Sequence, residues 1–134
     1  VAPRATNTRC DAATELLPGV PREVALHGVP RSDVPCALAS MRQAAYYTVT
    51  LPARATLRVT AEAIEGLNDG VAIQMFEDCE RPACLARAEA REAAMVTATY
   101  VGQERETRVV VAVMGAIPAG TARTLVRVTA QVAP

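Results

Sequence analysis

A chain of 134 residues suits one domain, and with 51% hydrophobic residues it can bury about two-thirds of the surface its unfolded form exposes. Fourteen basic residues, every one of them arginine, balance fourteen acidic ones, so the positive surplus that a nucleic-acid binder uses to release counterions is missing. The longest purely apolar run, Val109 to Met114, falls far short of the roughly 18 to 20 residues that cross a bilayer, so neither nucleic-acid binding nor membrane insertion is expected.

Trp is absent, and Phe76, Tyr46, Tyr47 and Tyr100 are the only aromatic residues, so Ala and Val dominate the apolar content. Small and β-branched side chains suit thin, closely spaced sheets. Val1-Ala2-Pro3 opens the chain without an initiator Met, as expected where a leader or a preceding domain has been removed. Residues 1–9 read as an N-terminal extension or linker, and 10–134 as a single domain.

Val24 to His27 reads as a first strand, fenced by Pro18-Gly19-Val20-Pro21 and Gly28-Val29-Pro30. Arg31 to Arg42 reads as a loop or a single helical turn carrying Cys36. Tyr46 to Leu51 alternates, with Tyr47, Val49 and Leu51 on one face and Tyr46, Thr48 and Thr50 on the other. After the turn Pro52-Ala53-Arg54-Ala55, Thr56 to Ala63 alternates again, Leu57, Val59 and Ala61 inward against Arg58, Thr60 and Glu62 outward, which predicts an antiparallel hairpin. Asn68-Asp69-Gly70 is the strongest turn signal and precedes a strand from Val71 to Phe76. Leu85 to Ala94 has high helix propensity but no apolar stripe at helical spacing, so a short strand plus loop is expected. Met95 to Val101 and Arg108 to Met114, flanking residues 102–106, read as another hairpin. Val109 to Met114 is apolar on both faces, which places it as a central strand. Leu125 to Val132, after the turn Ile117-Pro118-Ala119-Gly120, closes the chain with Val126, Val128, Ala130 and Val132 inward. Strands at this spacing predict an all-β protein, a jelly-roll-like antiparallel β-sandwich of seven to eight strands.

Four cysteines permit three connectivities. The sequential one, Cys10 with Cys36 and Cys79 with Cys84, is the most economical and is the expected pair of disulfides. A structural zinc site is the competing reading, but it needs a second knuckle or a Cys and His cluster, and His27 is the only histidine. Disulfides in turn imply an oxidising compartment, secreted, extracellular or periplasmic.

The order of elements resembles the bacterial pre-peptidase C-terminal domain family, in particular its two-disulfide versions in secreted proteins of myxobacteria and similar organisms. The matching residues are Cys10-Asp-Ala-Ala-Thr-Glu-Leu, Cys36 ahead of Tyr46-Tyr47-Thr-Val-Thr-Leu-Pro-Ala, Thr56-Leu-Arg-Val-Thr-Ala, the Asn68-Asp69 turn, Asp78-Cys79 followed by Cys84-Leu-Ala, and Leu125-Val-Arg-Val-Thr-Ala. The resemblance implies a jelly-roll-like sandwich that accompanies secreted hydrolases without catalytic residues of its own. Some relatives bind calcium, collagen or polysaccharide. The Gly- and Asp-rich stretch that often follows the second cysteine pair is replaced here by Arg87-Ala-Glu-Ala-Arg-Glu.

Nucleophilic catalysis needs a base beside a Ser, Cys or Thr. His27, Ser32 and Asp33 can be assembled on paper, yet no G-x-S-x-G element surrounds Ser32 or Ser40, so no enzyme is expected. Glu77, Asp78 and Glu80 crowd the short cysteine loop, and Asn68 and Asp69 could join them, but calcium wants six to eight oxygens, so no cofactor is expected and calcium stands as the minority alternative. The expected function is that of a non-catalytic secreted accessory module that binds a polymer, a partner protein or itself through loops or a sheet face. The alternative is a structural subunit of an extracellular assembly, with Val1 to Arg9 packed on a neighbour. Candidate contact residues are Tyr46, from the Tyr46 and Tyr47 pair of which one member is core and the other open to contact, and the loop positions Asp69, Asp78 and Arg81.

Overall fold

A computed structural model describes residues 7–27, 44–66, 70–80, 84–91, 95–115 and 123–134. These residues form nine strands: β1 (Thr14–Glu15), β2 (Arg22–His27), β3 (Ala44–Leu51), β4 (Thr56–Gly66), β5 (Gly70–Phe76), β6 (Cys84–Arg91), β7 (Met95–Val101), β8 (Thr107–Gly115) and β9 (Arg123–Ala133). The only helical element among them is a single 3-10 turn, Cys10–Ala12.

Two sheets face each other, a four-stranded one in the order β2-β9-β4-β7 and a five-stranded one in the order β1-β3-β8-β5-β6. The antiparallel pairs β2 with β9, β3 with β8, β4 with β7 and β5 with β6 are nested, so the chain runs as one long hairpin folded back across a sandwich. The further pairs β4 with β9 and β5 with β8 close each sheet. This is the jelly-roll arrangement. Of all consecutive strands, only β5 and β6 are neighbours in one sheet.

The two hairpins expected around Pro52 and Gly102 are therefore corners between sheets. The reason lies in what the outward faces carry. Ala44 and Tyr46 of β3, like Val110, Ala112 and Met114 of β8, are buried on the outward side. Arg58, Thr60 and Glu62 of β4, like Thr97 and Thr99 of β7, are not. Laying β3 beside β4, or β7 beside β8, would place a buried row and a solvated row on one face. The two corners travel together: Arg54 N–H donates to Gln103 O (2.7 Å) and Gly102 N–H to Ala55 O (2.8 Å). Arg54 takes a left-handed φ of 63°, and a Cβ on Gly102 would come within 2.9 Å of both Ala55 O and Leu51 Cδ2.

Leu85 to Ala94 enters the fold as β6, and residues 92–94 lie outside the described set. Its missing apolar stripe favours an edge strand, where Ala86 and Ala88 pack on the core and the register slips around Leu85. The turns at 67–69 and 116–122, and the segment 28–43 with Cys36, also lie outside the described residues.

The space between the sheets is filled mainly by aliphatic side chains such as Leu57, Val59, Ile73, Met75, Val111 and Val128. A second apolar layer lies on the outer side of the five-stranded sheet, where Ala44, Tyr46, Ala72, Phe76, Val110, Ala112 and Met114 form one buried cluster with Cys10 and Ala13 packed against it. β8 serves both layers, as its two apolar faces require.

Candidate functional site

The N-terminal segment is the element that closes the outer layer. Asn7 is buried and grips β3 twice: Tyr46 N–H donates to Asn7 O (2.7 Å), and Asn7 Nδ2 donates to Tyr46 O (2.7 Å). The 3-10 turn that follows sets Cys10 on the same face, where it is bonded to Cys79, with the Cα atoms 5.8 Å apart. The sequential pairing is thereby corrected. Cys10 meets Cys79 because the segment is laid across the sheet onto the end of β5, a juxtaposition invisible to distance along the chain. Cys84 is disulfide-bonded as well, and its partner lies outside the described residues.

This covering also corrects the tyrosine reading. Tyr46 does point away from the sandwich interior, but onto the outer apolar layer, where it is fully buried. Tyr47 points inward and is buried too. Burial pushes the Tyr47 phenol up from its ordinary value, against a hydrogen bond from Asn7 and the charge of Arg22, which act in the opposite direction. Neither ring is a surface anchor.

Asp78 sits in the β5–β6 loop beside Cys79, and its Oδ1 accepts the Glu80 N–H at 2.8 Å, the local turn-closing bond that Asp side chains favour. Asp69 and Arg81 lie outside the described residues, so the expected loop cluster is represented by Asp78 alone. Among the described residues no group of three or more His, Cys, Asp or Glu side chains is placed to hold a metal ion. His27 ends β2 opposite Arg123, and Ser32 and Asp33 lie outside the described residues.

What remains open is the outer face of the four-stranded sheet. The register arranges it in rungs across the strands. One rung is Glu23, Arg127, Glu62 and Met95, the next Thr129, Thr60 and Thr97, and the third Gln131, Arg58 and Thr99. Arg127 holds both carboxylates of its rung, Nη2 to Glu23 Oε2 at 3.6 Å and Nη1 to Glu62 Oε1 at 3.4 Å. Thr60 and Thr97 hydroxyls are 3.2 Å apart. Half-exposed ion pairs of this kind contribute little to stability, about 1 kcal/mol at most, so the pattern matters for what it presents. It is an array of hydroxyls, one amide and fixed charges, bordered along β7 by the exposed Met95 and Val101 and with no aromatic ring on it. The alternation of β4 and β9 indicated outward Arg and Thr. Only the register could set Arg127 between Glu23 and Glu62.

No protein-family model matches the chain, and no curated protein matches it in sequence. Solved structures do share its fold. The surface-associated copper-binding protein CorA of Methylomicrobium album BG8 aligns with a TM-score of 0.67 at 7% identity, over 91% of this chain and 98% of its own. The pre-peptidase C-terminal domain of collagenase from Bacillus anthracis aligns at 0.57 and 10% identity, over 89% and 94%. PliG of Aeromonas hydrophila, a periplasmic inhibitor of g-type lysozyme, aligns at 0.52 and 10% identity, over 89% and 96%. At these identities the likeness establishes the β-sandwich fold, including its similarity to the pre-peptidase C-terminal domain.

Proposed function

We propose that the chain is a non-catalytic binding module of an exported protein, secreted to the extracellular space or the periplasm, and that it engages a polar partner, an extracellular polymer or a protein, on the outer face of the four-stranded sheet. The observation that carries this reading is the asymmetry of the sandwich. The five-stranded sheet spends its outer face on a second apolar layer clamped by Cys10–Cys79, whereas the four-stranded sheet leaves rungs of Thr, Gln, Arg and Glu in solvent. Disulfides fit an oxidising compartment, and no helix of the described residues is long and apolar enough to cross a membrane. The proteins that share the fold are named for copper binding, lysozyme inhibition and a place in a collagenase, three uses of one scaffold, so the face and not the fold has to select the partner.

A face without aromatic rings grips by hydrogen bonds and charge, and its binding should weaken with salt. The test is a nuclear magnetic resonance titration of the labelled protein with soluble polysaccharides and candidate partner proteins. Shifts should cluster on Arg58, Thr60, Thr99 and Gln131, and Thr99→Glu with Gln131→Glu should abolish them while Asp78→Asn leaves them in place. Shifts confined to the β5–β6 loop would overturn the assignment of the face.

A further inference from the structure

Strand β7 is an edge of the four-stranded sheet, and among the described residues no strand pairs with its outer side. Such an edge invites another strand unless charge, proline or a bulge protects it. β2 and β6, the other long edges, carry Arg22 and Glu23, and Arg87 and Glu89. β7 reads Met-Val-Thr-Ala-Thr-Tyr-Val, without a charge or a proline, and pairs with β4 without any register shift. Its residues are also symmetric in kind about Ala98: Thr97 against Thr99, Val96 against Tyr100, Met95 against Val101. Four large hydrophobic residues are exposed among the described ones, and two of them are Met95, 55% exposed, and Val101, 65% exposed, at opposite ends of this strand.

We infer that β7 pairs antiparallel with β7 of a second copy about a two-fold axis at Ala98, joining the two four-stranded sheets into one of eight strands. An isologous contact requires a surface complementary to itself, and this strand is. In that register Met95 of each copy lies beside Val101 of the other on the outer face, so both exposed apolar residues are covered at once. Thr97 meets Thr99, a favourable cross-strand pair. On the inner side Val96 meets Tyr100. The strand itself carries no charge to repel a second copy, and a heterologous partner would have no reason to match the symmetry. The contact shares Thr99 with the proposed binding face, so it is tested at Met95 and Val101, which the binding test does not substitute.

Sedimentation equilibrium over a dilution series tests it, with far-UV circular dichroism confirming the strand fold of each variant. The unmodified chain should show a reversible monomer–dimer equilibrium. Met95→Lys with Val101→Lys sets like charges opposite each other at both ends of the contact and should weaken dimerisation roughly tenfold or more. Met95→Glu with Val101→Lys sets a carboxylate opposite an ammonium at both ends and should restore it to within about threefold of the unmodified chain. The face variant Thr99→Glu with Gln131→Glu tests binding and is not used here. A chain that stays monomeric at every concentration, a dimer insensitive to the double Lys variant, or equal weakening by both double variants would overturn the inference.

Discussion

Removing the Cys10–Cys79 bond by Cys10→Ser with Cys79→Ser should cost close to the full chain-entropy value of a long-loop disulfide. The two residues are 69 apart, and a closed loop of about 70 residues corresponds to about 4 kcal/mol at room temperature. Little enthalpy should offset this, because the bond lies between elements already held by packing: Cys10 rests on the outer apolar layer, and Asn7 keeps its two hydrogen bonds to Tyr46. The loss should therefore come chiefly from the unfolded state, and the urea dependence of unfolding should steepen as that state expands. Equilibrium urea unfolding of both proteins under oxidising conditions measures the difference, and hydrogen exchange at the Tyr46 amide shows whether the N-terminal segment still covers β3. A non-reducing peptide map should recover Cys10 joined to Cys79 and Cys84 in a separate disulfide peptide. A loss below about 1 kcal/mol, or a map joining Cys10 to any other cysteine, would refute the reasoning.

Gly102→Ala should destabilise the chain by about 1 to 3 kcal/mol in the same unfolding experiment, because the added methyl would come within 2.9 Å of a backbone carbonyl and of the buried Leu51 side chain; an unchanged midpoint would mean that the paired corners can separate. Tyr47 governs an alkaline limit: its folded pKa is raised by burial, so its contribution to stability is complete below the unfolded phenol value of about 10 and is lost as pH rises toward the folded one. Tyr47→Phe should flatten that alkaline fall in a pH series of unfolding midpoints, and an identical slope would remove Tyr47 as its cause.

Much of this protein is local and was legible as such. Period-two alternation in Tyr46 to Leu51, Thr56 to Ala63 and Leu125 to Val132 identified the inward residues, because side chains of a strand point alternately whatever it pairs with. The doubly apolar Val109 to Met114 announced a central strand, since only a strand covered on both sides tolerates that composition. The missing stripe in Ala86 to Ala94 outweighed its alanines for a related reason: a helix there would have had nothing to bury. Pairing was another matter. Alternation says which way a side chain points and not which strand lies alongside, so proximity in sequence suggested hairpins at Pro52 and Gly102 where the outward faces of the joined strands are incompatible. The cysteines failed in the same way, because Cys10 reaches Cys79 only after residues 7–12 fold over β3 and β5. That covering also decided the fate of Tyr46, whose outward direction was legible and whose burial was not. Direction belongs to the residue and its neighbours along the chain; partner, register and cover belong to segments tens of residues away, and only the folded arrangement brings those together.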